Sequence, residues 1–242
     1  CGVRLLACDV KLADFMAKRV QVVDELFKNI PSGVGKESEF NLSAKELDEV
    51  LDTGVEWAVK KDYATKEDLE LCEDSGHIVG ANSKLVSKKA KERGKNQLGT
   101  IGAGNHFLEI QIIEEIFDKK AAEAFGLQKG QLCVMIHSGS RGLGHQTASD
   151  YIQAMEKEYG FANLPDRELA CAPINSELGK KYVGAMAAAA NFAFVNRQLI
   201  THQTRKSFSK FFPKCKLKLV YDIAHNIAKF EDFELEGKKR TL

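Results

Sequence analysis

Three histidines of this chain stand in similar settings. His137 closes the apolar run Leu132-Cys133-Val134-Met135-Ile136 and is followed by Ser138-Gly139-Ser140-Arg141-Gly142-Leu143-Gly144-His145. His106 follows Gly99-Thr100-Ile101-Gly102-Ala103-Gly104-Asn105 and precedes Phe107-Leu108-Glu109-Ile110. His225 follows the run Leu217 to Ile223 through Ala224 and precedes Asn226. A buried strand that stops at a histidine can carry a metal ligand to its end. A serine/glycine segment beyond it opens a loop able to hold a phosphate. A single such histidine is usually structural, but three in like contexts make a shared site a competing reading. Imidazole binds Mn²⁺, Zn²⁺ or Fe²⁺, and an added thiolate favours a borderline metal over Mg²⁺ or Ca²⁺. Gly102 and Gly104 let backbone amides approach an anion closely, and the asparagine amide can donate to it. The chemistry suggested is metal-assisted work on phosphate.

Other phosphate and metal motifs fail on inspection. Around Gly35-Lys36 a P-loop would need glycine where Ile30 stands and Ser or Thr where Glu37 stands. Gly102 and Gly104 do not begin a dinucleotide fingerprint, because Phe107 occupies the third glycine position. The six cysteines contain no C-x-x-C pair, which argues against a zinc ribbon or a thioredoxin-type site. Cys8, Cys133 and Cys171 lie beside apolar residues and read as reduced core thiols, with the cytosol as the default compartment. The formal net charge is +1, so any nucleic-acid contact must come from a local patch. The run Lys84 to Arg93 is a basic stripe that reads first as a solvated helix face and second as an RNA-backbone contact. No apolar stretch approaches the ~20 residues of a membrane span, and no signal peptide is visible.

The positioning elements follow from periodicity. Val3 to Val10 reads as a strand. Leu12, Phe15, Met16, Val20, Val23, Leu26 and Phe27 mark an amphipathic helix over 12–29. Ser43 and Glu46 form a capping box that opens a helix toward Val59, with Trp57 in the core. Strands are expected at 107–113, 131–136 and 217–223, and helices at 116–125, 148–159 and 182–211. His202 reads as an ordinary helical histidine, and Pro165-Asp166-Arg167 as a turn. The fold class is α+β: a single mixed domain over 1–242 in which strands deliver metal ligands at their ends, flanked by helices.

Three blocks carry a resemblance to a known family. They are Gly99 to Ile110, His137 to Gln146, and Tyr221-Asp222-Ile223-Ala224-His225-Asn226-Ile227-Ala228-Lys229. With the opening Cys1-Gly2-Val3-Arg4-Leu5-Leu6, they closely resemble the RtcB family of GTP- and manganese-dependent RNA ligases of tRNA splicing and RNA repair. The likeness runs in order along the whole chain but covers only the central part of the family pattern.

The resemblance implies a reaction and a set of roles. An RNA 3′-phosphate, or a 2′,3′-cyclic phosphate first opened to it, is joined to a 5′-hydroxyl. A guanylylated histidine passes GMP to the 3′-phosphate, and the 5′-hydroxyl displaces it. Capping by GMP turns a poor electrophile into a phosphoanhydride, and two Mn²⁺ ions can neutralise charge and align attack. Cys1, His106, His137 and His225 are implied as manganese ligands, with Cys1 shared by the two ions. Asn105, His106, Phe107, Leu108, Glu109, His225 and Asn226 match guanylate-binding segments, with Glu109 accepting from the guanine edge. Arg141, and more weakly Ser138, are implied as RNA- or GTP-phosphate contacts. The partners implied are RNA (tRNA halves or broken RNA), GTP and a small archease-like activator. The family's aspartate ligand belongs before Cys1 and its histidine nucleophile beyond Leu242. No catalytic nucleophile is therefore expected within 1–242, nor a covalent GMP adduct on this stretch alone.

Two alternatives use the same residues. One is a metal-dependent phosphoesterase or nuclease that needs no guanylylation, and the other is a non-catalytic metal- or RNA-binding fragment. GTP-dependent joining of RNA ends separates the ligase from both.

Overall fold

The apolar runs around the three histidines pair into one sheet. The computed structural model describes every residue except Phe161, Asn163 and Leu242. Strands β1 (Gly2–Cys8), β2 (Phe107–Ile112), β3 (Leu132–Ser138) and β4 (Leu217–Ala224) lie in the order β2-β3-β1-β4, and every neighbouring pair is antiparallel. Val3 pairs with His137, Phe107 pairs with His137, and Gly2 pairs with Ala224. Strands β5 (Asp232–Leu235) and β6 (Lys238–Thr241) form a separate hairpin.

Antiparallel alternation decides where the strand ends fall. β1 and β2 start at the same edge of the sheet where β3 and β4 finish. Cys1 and His106 stand immediately before β1 and β2. His137 lies in the last turn of β3, and His225 immediately follows β4. The sheet thus brings one donor residue per strand to a single end.

One helix carries most of the sheet's support. α1 (Leu12–Asn29), α2 (Ala44–Thr53), α3 (Val55–Lys60), α4 (Lys66–Glu70), α5 (Lys88–Gly94), α6 (Lys119–Ala124) and α7 (Arg141–Tyr159) precede α8 (Glu177–Phe211). α8 runs 35 residues without a break. Ser176 caps it through the Gly179 N–H, the alanine run has high helix propensity, and no proline interrupts it. It is buried on nearly all sides from Gly184 to Phe208, and α1, α2, α3, α7 and the sheet pack on it. The helical face of the sheet contributes Leu6, Val134, Ile136 and Leu219 to the main core, and the opposite face holds a small cluster of Leu5, Cys133 and Val220.

Several expected boundaries move. The amphipathic pattern over 12–29 places α1 correctly, but only Phe15, Val22 and Leu26 are buried, while Met16, Val20, Val23 and Phe27 remain exposed. The capping box at Ser43 forms, yet the helix it opens stops at Gly54, whose φ of 57° breaks it, and α3 continues to Lys60. The basic stripe is not one solvated helix. A 3₁₀ turn at Ser83–Leu85 precedes the α-helix Lys88–Gly94, in which Lys88, Lys89 and Glu92 are exposed while Ala90 and Gly94 are buried, Lys91 pairs with Asp48 and Arg93 donates to Gln146. The segment after His137 is a loop only at Gly139 and Ser140, because α7 begins at Arg141 rather than at residue 148. Gly142 and Gly144 are helical despite their poor propensity, since side chains there would collide with Gln97 and Ser140. Trp57 is buried as expected, but Cys171 is exposed and so is not a core thiol.

Between sheet and helix lies a buried charge cluster. Asp222 Oδ2 accepts from Arg4 Nε (2.9 Å) and Nη2 (2.6 Å), and its Oδ1 accepts from Arg197 Nε (2.6 Å). All three side chains are 0% exposed. Arg4 also donates to Gln198 and Thr201, and Arg197 Nη1 donates to the Ser138 carbonyl at 3.1 Å. Removing the anion strands two buried cations. Asp222→Asn is expected to cost about 3–5 kcal/mol of stability, read as a lowered denaturation midpoint in urea.

Candidate metal centre

The donor atoms converge at the sheet's end. Cys1 Sγ lies 3.2 Å from His106 Nε2 and 3.2 Å from His137 Nε2, and His137 Nε2 lies 3.2 Å from His225 Nε2. The ligand atoms of Cys1, His137 and His225 all fall within 4.8 Å of one another. His106 meets the same sulfur but lies outside that group of three.

Neighbouring backbone sets the imidazole roles. His137 Nδ1 stands 2.9 Å from the Asn105 carbonyl, which only accepts, so Nδ1 carries a proton. In the neutral ring Nε2 then presents its lone pair to the cluster, an orientation that ligating histidines usually obtain from such a partner. Burial, followed by the neighbouring His137 and Arg141, pushes His106 down to about 4. Burial and His137 likewise lower His225. Unprotonated nitrogens are what a metal requires.

The spacing fits a bound ion. Transition-metal bonds of about 2.0–2.3 Å place tetrahedral ligands roughly 3.3–3.8 Å apart, close to the observed separations. The compact group of two nitrogens and one sulfur, with a third nitrogen from His106 on the same sulfur, suits a borderline metal. His106 Nδ1 is buried without a hydrogen-bond partner, so its ring is held by packing and by whatever meets Nε2.

Glycines let the supporting segments approach. A Cβ on Gly102 would collide with His106 and Arg141, and one on Gly139 would press on the Cys1 backbone. Arg141 is half-buried at φ 51°, with Nε donating to Thr100 Oγ1 (3.0 Å) and Nη2 to the Gly33 carbonyl (2.8 Å). No ion pair holds it among the described residues.

The remaining expected residues divide. His106, Phe107 and Leu108 line a groove of about 820 Å³ between α1 and the segment Gly102 to Gly104. Asn226 lines a separate hollow of about 130 Å³ with Cys1 and Ser140. Asn105 and Glu109 are exposed, and Glu109 accepts from Gln111 at 2.8 Å. Ser138 does not face either space. It is fully buried, donates to the Thr100 carbonyl and accepts from Asn196.

Sequence reasoning missed Asn196 and Arg197. From α8, Asn196 Nδ2 donates to the carbonyls of Thr100 and Gly139 and to Ser138 Oγ, while its Oδ1 accepts from Thr100 N–H. One amide thereby pins the glycine-rich segment before His106 to the turn after His137. Asparagine within an alanine-rich helix was the available signal, because such a residue is otherwise a poor choice for a buried helix face.

The geometry defines a mixed helix-and-sheet protein with a candidate metal centre at one sheet end. Comparison with known proteins makes the assignment narrower. Residues 1–242 match the family described as tRNA-splicing ligase RtcB, and the chain belongs to that family. It is 53% identical over 249 residues to the tRNA-splicing ligase RtcB of Aeropyrum pernix, 50% over 247 to that of Nanoarchaeum equitans and 48% over 249 to that of Archaeoglobus fulgidus. Each alignment covers 100% of this chain and 52% of the relative, so the chain spans about half the length of these curated relatives.

Removing a donor tests the centre. His137→Ala is expected to weaken Mn²⁺ affinity at least ~10-fold by titration calorimetry, since even partners behind the ligands are worth that much. His145→Ala, on an exposed position of α7, should leave the isotherm as it is.

Proposed function

We propose that this chain forms the metal-binding part of an RNA ligase that uses GTP and Mn²⁺ to join RNA 3′-phosphate or 2′,3′-cyclic phosphate ends to 5′-hydroxyl ends. The observation that carries the reading is that Cys1 Sγ meets His106 and His137 at 3.2 Å and His137 meets His225 at 3.2 Å, with one residue from each strand. Membership of the tRNA-splicing ligase RtcB family supports it.

The geometry supports the following roles. Cys1, His106, His137 and His225 would hold the metal. When bound, the metal supplies positive charge that neutralises phosphate oxygens and favours attack at phosphorus. The Asn105 carbonyl keeps His137 in the ligating tautomer. Arg141, anchored by Thr100 and Gly33, keeps guanidinium N–H groups beside His106 for a phosphate oxygen of GTP or RNA. The groove lined by His106, Phe107 and Leu108 is of a size suited to a nucleotide, which supports assigning this segment to guanylate. Glu109 is exposed and could accept from a guanine edge. Ser138 acts from behind, holding the Thr100 backbone. Among the described residues no helix is long and apolar enough to cross a membrane, in keeping with work on RNA in the cytoplasm. An archease-like activator belongs to the same reading.

Full-length protein incubated with RNA bearing a 3′-phosphate, RNA bearing a 5′-hydroxyl, GTP and Mn²⁺ is expected to give joined product. Omission of GTP or of Mn²⁺, or the change His137→Ala, should each reduce product by at least ~100-fold, as loss of a metal ligand does in catalytic sites. Release of inorganic phosphate without joining would instead favour a phosphoesterase.

A further inference from the structure

A second group of reactive side chains lies at the opposite end of the sheet. Cys8 ends β1, and Cys215 stands two residues before β4, where Cys8 pairs with Leu217. Their sulfurs are 3.6 Å apart across 207 residues of sequence. Cys8 is 2% exposed, while Cys215 is partly open to solvent. The local backbone is fixed around them. Cys215 N–H donates to the Phe212 carbonyl, and Lys216 N–H donates to Asp9 Oδ1 at 3.0 Å. Among the described residues no other thiol has a sulfur so close: Cys1 meets His106 and His137, Cys133 is buried in the small cluster, Cys72 faces Arg4, and Cys171 is exposed on a loop.

We propose that Cys8 and Cys215 form a reversible disulfide, made by exchange with a small anionic disulfide such as oxidised glutathione. The Cys215 sulfur, on giving its proton to solvent, attacks one sulfur of the small disulfide. The sulfur–sulfur bond breaks and one small thiolate leaves. The Cys8 sulfur then attacks Cys215, expelling the second small thiolate and closing the protein bond. The two protein thiols lose two electrons and two protons, and the small disulfide is reduced to two thiols.

Several features favour exchange. The accessible sulfur meets the reagent, and the buried one waits within reach to resolve the mixed disulfide. The thiol–thiol hydrogen bond lowers Cys8 and raises Cys215, so the buried Cys8 gives up its proton more readily and suits the resolving step, while access to solvent, not acidity, makes Cys215 the sulfur that meets the reagent. Exposed Lys11, Lys214, Lys216 and Lys218 flank the pair in sequence and suit an anionic reagent. Asp9 completes a three-donor cluster that could hold a cation. The lysines oppose that use, and the Asp9 carboxylate is already engaged by a backbone N–H. The bond would tie β1 to β4, the strands that carry Cys1 and His225 at their other ends. This inference does not depend on the ligase reading.

The test is native oxidation of the full-length protein with oxidised glutathione, followed by alkylation, digestion and mass spectrometry without reduction. The expected product is a Cys8–Cys215 linked peptide, about 2 Da lighter than the two thiol peptides, and restored by dithiothreitol. Oxidation should also raise the Tm of the wild type and leave that of Cys215→Ser unchanged. Free Cys8 and Cys215 alongside a glutathione adduct on exposed Cys171 would overturn the proposal, as would a glutathione adduct on Cys215 that never transfers to Cys8. A parallel arm adds zinc chloride to Cys1→Ser protein. A thiolate–zinc complex at Cys8 and Cys215 that resists oxidised glutathione would mark a cation site and also overturn it.

Discussion

The carboxylate of Asp222, held between the guanidinium groups of Arg4 and Arg197, is the constraint on which the rest of the structure depends. Burying three charges costs several kcal/mol each before they attract one another, so the cluster survives only with its geometry intact. That geometry reaches every direction the site needs. Arg4 lies on β1 three residues after Cys1, and Asp222 lies on β4 three residues before His225. Arg197 extends from α8 to the Ser138 carbonyl on β3. A shift of any of these strands along its axis would break a charged contact as well as backbone bonds. Gly2 is part of the same arrangement, because a side chain there would overlap the Arg197 guanidinium.

Much of this was legible in the sequence. The four apolar runs form strands where periodicity and composition place them, and the helix over 12–29 has the expected limits. The three histidines and Cys1 come together, as the repeated pattern of a strand ending at a histidine and the family likeness both implied. What was illegible was tertiary. The start of α7 contradicts glycine's low helix propensity, because packing against Gln97 and Ser140 leaves no room for a side chain. The basic run at 84–93 suggested a solvated face, yet Ala90 and Gly94 turn inward and carry the segment onto α7. Cys171 has apolar neighbours in sequence but none that bury it in space. Ser138 was a weak phosphate contact implied by the family likeness, and its hydroxyl accepts from Asn196, some sixty residues away, and donates to the Thr100 carbonyl.

α8 explains why a helix so polar can be so buried. Asn191 caps the Ile78 N–H and the Leu51 carbonyl, Asn196 bridges the segments around the site, and Gln198 reaches Tyr63 and Asp68. Several of these side chains meet backbone outside the regular elements, at Tyr63, Ile78 and Thr100, whose groups need partners away from water, while Leu51 and Asp68 tie the helix to α2 and α4. The helix serves as a ruler against which those loops are set, while its alanines allow the neighbouring helices to approach closely.

Because each of the four donors arrives on a different strand, no contiguous portion of the chain can assemble the centre by itself. During synthesis, a ribosome-bound polypeptide would display Cys1, His106 and His137 long before the sequence of β4 is translated. Its capture of an ion would stay incomplete until His225 emerged and the outer strand zipped on. An ion held by all four residues would therefore be acquired late in the life of each molecule, after the sheet has closed in its register.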